Sequence, residues 1–165
     1  MTKNTTKLST INNLINIIDD FKERLMREGS KVEVKKRTIE LQNINMPINS
    51  KEFLDLGYDE YEFQVEYAKV LENLSVIVEI LKQDKYSRQC LISNWNLETK
   101  PCASLLHFLY RKDTLDLKVF IRSSDILRLP YDIVSLSHIL QEVCDLTELK
   151  MGKLHLFISS LHMYF

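Results

Sequence analysis

Apolar residues recur at helical spacing near the start of the chain: Ile11, Leu14, Ile15, Ile18, Phe21 and Leu25. With Ser9 or Thr10 as cap and Gly29 as stop, this spacing predicts a helix over 9–28. Residues 31–48 change period. Val32, Val34, Ile39, Leu41, Ile44, Met46 and Ile48 give one or two strands, closed by Pro47 and Asn49-Ser50. After Gly57, the residues Phe63, Tyr67, Val70, Leu71, Leu74, Ile77, Val78 and Leu81 form an unbroken apolar stripe about five turns long. Residues 88–95 read as a buried strand, and 104–111 with 115–122 as a hairpin around Lys112-Asp113-Thr114. Pro130 suits the first turn of another helix carrying Ile133, Leu136, Leu140 and Val143 on one face, with Gly152 as its end and 153–164 as a last strand. No linker, repeat or low-complexity tract interrupts residues 1–165. The expected architecture is a single α+β domain, a sheet covered by helices.

Composition narrows the partners. The 165 residues are 45% hydrophobic and 27% charged, with a formal net charge of −1. A balanced charge gives no bulk attraction to a nucleic-acid polymer or a membrane surface. The first ten residues lack the apolar core of a signal peptide, and no apolar run reaches membrane-spanning length. Cys90, Cys102 and Cys144 form neither a CxxC pair nor a disulfide framework, which suits a reduced, cytoplasmic protein. His107, His138 and His155 show no metal-ligand spacing.

A few residues can carry chemistry. Cys102 follows Pro101 just before a strand; it is either a small core residue or a nucleophile. Arg122-Ser123 can hold a phosphate by a guanidinium fork and a hydroxyl, or end a strand in solvent. Asp125 and Asp132 suit turn and helix caps. His162 and Tyr164 lie two apart on a strand, on one face, where they can bond a sugar or simply finish the chain. Lys35-Lys36-Arg37 reads as a solvated strand end, with Arg37 a loose candidate for a phosphate.

The order of these residues is more specific than any one of them. "SRQCLISNWN", "KPCASLLHFLY", "RSSDILRLPYDIVSLSHILQEVC" and "GKLHLFISSLHMY" together resemble the thymidylate synthase family, which includes the pyrimidine nucleotide hydroxymethylases. The resemblance is firm over residues 86–164. It is loose over 31–70, where "FQVEYAKVL" resembles the family's Glu-bearing helix and offers Glu66 as general acid-base. It implies that Cys102 adds to C6 of a pyrimidine nucleoside monophosphate, that 5,10-methylenetetrahydrofolate supplies a one-carbon unit to C5, and that the product is methylated or hydroxymethylated. It also implies that Arg122 and Ser123 bind the 5′-phosphate, with Arg122 lowering the thiol pKa, and that Arg88 reaches the phosphate of a partner subunit in a homodimer. Asp125 would order the base surroundings, and His162 and Tyr164 the sugar hydroxyl.

Asp132 departs from the Asn usual in thymidylate synthases. An ionised carboxylate only accepts hydrogen bonds, so it suits the 4-amino group of cytosine better than uracil. Other departures are Ala103 in place of a His, Arg128 in place of a glycine near the folate, Gln89 in place of a second Arg, Ile121 in place of a polar residue, and an end at Phe165 where a folate-closing segment usually continues. These support a second reading, a pyrimidine nucleotide-binding or regulatory protein of the same fold that has lost folate chemistry. Cys102 separates the two, since binding alone needs no thiol.

Overall fold

The computed structural model describes residues 3–34 and 36–164, and the side chains of 7–32 and 38–164. Lys35 and the side chain of Arg37 lie outside the described residues. Helix α1 spans Lys3–Glu28, β1 Ser30–Val34 and β2 Lys36–Ile48, followed by a 3-10 turn at Ser50–Phe53. Helices α2 (Glu60–Glu66) and α3 (Ala68–Gln83) lead to β3 (Leu91–Ser93), β4 (Ala103–Arg111), β5 (Thr114–Ile121) and β6 (Ser124–Asp125). Helix α4 (Leu129–Thr147) and β7 (Met151–Tyr164) complete the described chain. This is the expected α+β arrangement.

The described strands form one seven-stranded mixed sheet in the order β1-β2-β7-β5-β4-β3, with β6 added on β7. β5 and β7 are parallel, and the intervening α4 is their crossover; the β1–β2, β2–β7, β3–β4 and β4–β5 pairs are antiparallel. Period-two alternation sends Leu106, Phe108, Leu117, Val119, Leu154 and Leu156 inward, all fully buried. The helices α1, α3 and α4 cover that side. Burying each such side chain contributes roughly 1.5–3 kcal/mol. On the opposite face, strand register aligns Leu105, Phe120 and Phe157 in one row across β4, β5 and β7. These three are 40%, 43% and 41% exposed.

Four local expectations change. The first helix starts before residue 9, and Thr10 is not its cap. Its buried hydroxyl donates instead to the Glu52 carbonyl (3.0 Å), tying α1 to the 3-10 turn. The stripe over 63–81 belongs to two helices that meet at Tyr67 (φ −114°, ψ 21°). Amide hydrogen bonds run through the break, from Tyr67 to the Phe63 carbonyl and from Leu71 to the Tyr67 carbonyl, so the apolar face stays continuous. The strand expected over 88–95 is short, Leu91–Ser93. The last helix ends at Thr147 with Glu148 in the left-handed region (φ 56°), and Gly152 lies inside β7. A Cβ at Gly152 would run into the Asp116 carboxylate and the Leu115 carbonyl, so glycine there serves close packing, not helix termination. The hairpin stands as expected, closed by Lys112 and Asp113, both at positive φ as a tight two-residue turn requires.

Candidate functional site

Cys102 stands one residue before β4, and Arg122 one residue after β5. The Arg122 amide donates to the Cys102 carbonyl (3.0 Å), extending the β4–β5 ladder by one step and setting thiol and guanidinium side by side. Nη2 of Arg122 is 4.0 Å from Sγ of Cys102 and donates to the Lys100 carbonyl at 2.7 Å. Nη1 donates to the Ser123 hydroxyl at 3.1 Å, and the guanidinium carbon lies 5.6 Å from the centre of the Trp95 ring. The cation is thus anchored, yet its outer edge remains exposed. The thiol is half-buried, and burial is the main reason its pKa is raised. Arg122 opposes this, as its charge requires, but Asp132 and Glu66 add to the rise. The expected lowering by Arg122 is real in sign and outweighed in sum.

Glu66 ends α2, half-buried, and its carboxylate faces Arg128 at 3.3 Å. Glu62, one turn earlier on the same face, meets the same guanidinium at 2.5 Å. The end of α2 is held to the thiol strand by Asn94. Its amide donates to the Glu66 carbonyl (2.8 Å) and the Ala103 carbonyl (2.9 Å).

Asp132 is not a helix cap. It lies in the first turn of α4, 5% exposed, with Oδ1 accepting a 2.9 Å hydrogen bond from the Tyr67 hydroxyl. Oδ2 is buried and has no hydrogen bond among the described residues. The same holds for the hydroxyls of Tyr131 and Ser135, which lie near each other but outside hydrogen-bond geometry. Burial raises the Asp132 pKa to about 6, against the smaller opposing effects of the Tyr67 hydrogen bond and the Arg128 charge. Tyr67 is itself pushed well above its ordinary value, by burial first and then by the Asp132 charge.

Asp125 does cap a turn: its Oδ1 accepts from the Leu127 amide (2.9 Å), steering the chain from β6 into α4. The β6–β7 pairing sets Asp125 opposite His162, and the His162 carbonyl accepts from the Ile126 amide (2.9 Å). The His162 and Tyr164 rings meet edge to face at 5.3 Å. Arg88 is exposed before β3, and its carbonyl bonds the His107 ring at 3.0 Å. Among the described residues, no hydrogen bond or ion pair joins its side chain to the Cys102 group.

The structure therefore gathers Cys102, Arg122, Ser123, Glu66 and Asp132 into one electrostatically coupled cluster. It sets Asp125, His162 and Tyr164 together on the β6–β7 pair and leaves Arg88 apart. Tyr67, Asn94 and the Arg128 bridge were not foreseen. Tyr67 reads as one more apolar stripe residue, and nothing in the spacing announces a partner 65 positions away. Among the described residues, no group of His, Cys, Asp and Glu could hold a metal ion. No helix of the described residues is long and apolar enough to cross a membrane.

Comparison with known proteins agrees with this geometry. The sequence model of the family described as thymidylate synthase matches residues 4–165. A thymidylate synthase of Mycoplasma genitalium is 30% identical over 122 residues, covering 70% of this chain and 42% of that protein. One from Mycoplasma pneumoniae is 30% identical over 101 residues, covering 57% of this chain and 35% of that protein. The chain spans less than half the length of these curated relatives. With the family match running over nearly all of its residues, this chain belongs to the thymidylate synthase family.

Proposed function

We propose that this protein transfers a one-carbon unit to C5 of a pyrimidine nucleoside monophosphate, favouring a cytosine nucleotide, with Cys102 as nucleophile. The observation that carries this reading is the juxtaposition of a half-buried thiol, an anchored arginine 4.0 Å from it, and a buried carboxylate with one unpartnered oxygen. Arg122 and Ser123 hold the 5′-phosphate through the exposed edge of the guanidinium. Deprotonated Cys102 adds to C6 and forms the C–S bond, which moves an electron pair toward C5. Glu66 exchanges protons with the ring. Oδ2 of Asp132 accepts from the 4-amino group, because Tyr67 already occupies Oδ1. Asp125 keeps the base-side turn in shape, and His162 and Tyr164 bind the sugar hydroxyls.

The surroundings suit a flat heterocycle beside the base. Leu127 is exposed just before Arg128, and the buried Tyr131 hydroxyl has a hydrogen bond to offer. Methylenetetrahydrofolate, when bound there, supplies the one-carbon unit, which ends as hydroxymethyl or methyl. The protein acts as a homodimer whose interface includes the Leu105–Phe120–Phe157 row, with Arg88 serving the partner's phosphate. Reduced cysteines are consistent with the cytoplasm. Residues 1–165 act as one domain.

The raised thiol pKa favours a second reading, a nucleotide-binding protein without turnover. Release of tritium from C5-labelled CMP, dCMP and dUMP, with and without methylenetetrahydrofolate, separates the two. Folate-dependent release from a cytosine nucleotide, abolished in Cys102→Ala, supports the enzyme. Release from dUMP alone removes the cytosine preference. Binding with no release from any nucleotide leaves the second reading.

A further inference from the structure

We propose that Arg128 is a positioning residue that holds the Glu66 carboxylate toward the thiol by bridging Glu66 and Glu62 across the α2–α4 junction. The inference rests on the reading of Glu66 as general acid-base.

Glu62 and Glu66 are four residues apart on a two-turn helix, so their carboxylates share one face and repel unless a cation lies between them. Arg128 is that cation. Its Nη1 reaches Glu62 and its Nη2 reaches Glu66, one nitrogen for each acid. The guanidinium lies 5.0 Å from the centre of the Tyr131 ring, which limits the planes the fork can adopt. The backbone is fixed as well. The Arg128 amide donates to the Asp125 carbonyl (2.9 Å), and its carbonyl accepts from Tyr131 and Asp132 as α4 begins. Burial works against the Arg128 charge, but the hydrogen bond and charge of Glu62, with Glu66 and Asp132, more than offset it and leave its pKa raised. The groups that face Glu66 electrostatically are therefore Arg128, Cys102, Asp132 and Tyr67, with Glu62 as its rival for the same cation. A lysine is a compact point charge on a flexible stem, with no planar fork and no plane to stack, so it holds the two acids in a less fixed orientation than the guanidinium does.

The test is C5-tritium release, with dCMP affinity measured alongside, for wild type, Arg128→Gln, Arg128→Lys and Glu62→Gln. Positioning predicts that Arg128→Gln lowers kcat about 10–100-fold, while the dCMP dissociation constant stays within about twofold. Arg128→Lys should recover part of the loss in kcat, again with dCMP affinity unchanged. Unchanged kcat in Arg128→Gln overturns the inference, and so does a parallel loss of dCMP affinity, which would make Arg128 a ligand contact. If Arg128→Gln does not fold, Arg128→Lys and Glu62→Gln decide by the same two readouts. If wild type releases no tritium, the functional reading fails first. The Glu66 carboxyl 13C resonance, assigned with Glu66→Gln, then decides at one fixed pH: a chemical-shift change in Arg128→Gln supports the bridge, and a resonance identical to wild type overturns it.

Discussion

The Tyr67 hydroxyl donates a 2.9 Å hydrogen bond to Oδ1 of Asp132, joining the α2–α3 break to the first turn of α4 in a buried setting. This bond leaves the carboxylate one free oxygen and fixes its direction. Tyr67→Phe strips the only described donor from Asp132 and leaves both oxygens buried without a partner. We expect a loss of about 1–3 kcal/mol at pH 7, because an unsatisfied buried polar group keeps its desolvation penalty. Urea unfolding measures it. The same variant should bind dCMP more weakly while leaving the phosphate residues intact, so its affinity for inorganic phosphate should not change.

Asp132 makes stability depend on pH in a definite direction. Its folded pKa, about 6, lies above the ordinary value of 3.8, so the folded state holds its proton more tightly than the unfolded chain does. The native state is therefore favoured by this group below about pH 4, and that advantage is lost as pH rises through about 6. Asp132→Asn keeps an acceptor for Tyr67 and removes the ionisation. Relative to wild type it should gain about 2–3 kcal/mol at pH 8 and much less at pH 4. Parallel urea titrations at the two pH values test this; an equal gain at both would sink it. In wild type, dCMP affinity should fall as pH drops through about 6, since the proton taken up on the unpartnered Oδ2 turns the oxygen proposed to face the 4-amino group from an acceptor into a donor.

The chain announces its frame better than its site. The hairpin of β4 and β5 is legible because alternating apolar residues flank Lys112-Asp113, and a tight turn leaves little choice of register. Cys102 and Arg122 come with it: once β4 and β5 pair, residues 20 apart in sequence become neighbours. Asp132 was legible as an unusual residue but not as a buried one, since Pro-Tyr-Asp at a helix start also fits a cap. What decides is Tyr67, whose apolar spacing hides its hydroxyl. Arg128 was legible only as a departure; its two acidic partners are set by how α2 packs on α4, which no local pattern encodes. Gly152 was misread as a helix stop because glycine marks close packing as readily as it marks a cap.

Thiol reactivity follows from the same electrostatics. Cys102 is half-buried with a raised pKa, whereas Cys90 and Cys144 are buried, Cys144 being pushed up to about 12 by desolvation. Iodoacetamide should modify Cys102 before either of the others, at a rate that climbs through pH 8–9 without levelling. Arg122 is the main influence favouring the thiolate, so Arg122→Gln should slow the modification roughly 3–10-fold at fixed pH. Peptide mass spectrometry of quenched time points reads both effects. Equal rates in wild type and Arg122→Gln would mean that the guanidinium does not act on Sγ.

The outer sheet face tests the proposed homodimer. Leu105, Phe120 and Phe157 form a continuous apolar row because β4–β5 and β5–β7 registers bring them level, and the polar Asn45 of β2 stands opposite Phe157 at its end. Each is about two-fifths exposed, so none is needed to fill the core behind it. Phe120→Asp should therefore leave the thermal midpoint of a dilute monomer nearly unchanged while opposing association, because a carboxylate on an apolar two-fold interface meets its own copy or loses its water. Sedimentation equilibrium should show wild type as dimer and Phe120→Asp as monomer. Since Arg88 is proposed to reach the partner's phosphate, dCMP affinity should fall on dissociation, and Arg88→Gln should weaken the dimer's affinity without further effect on the monomeric variant. A wild type that stays monomeric across the concentration range, with full dCMP affinity, would refute both the dimer and the role given to Arg88.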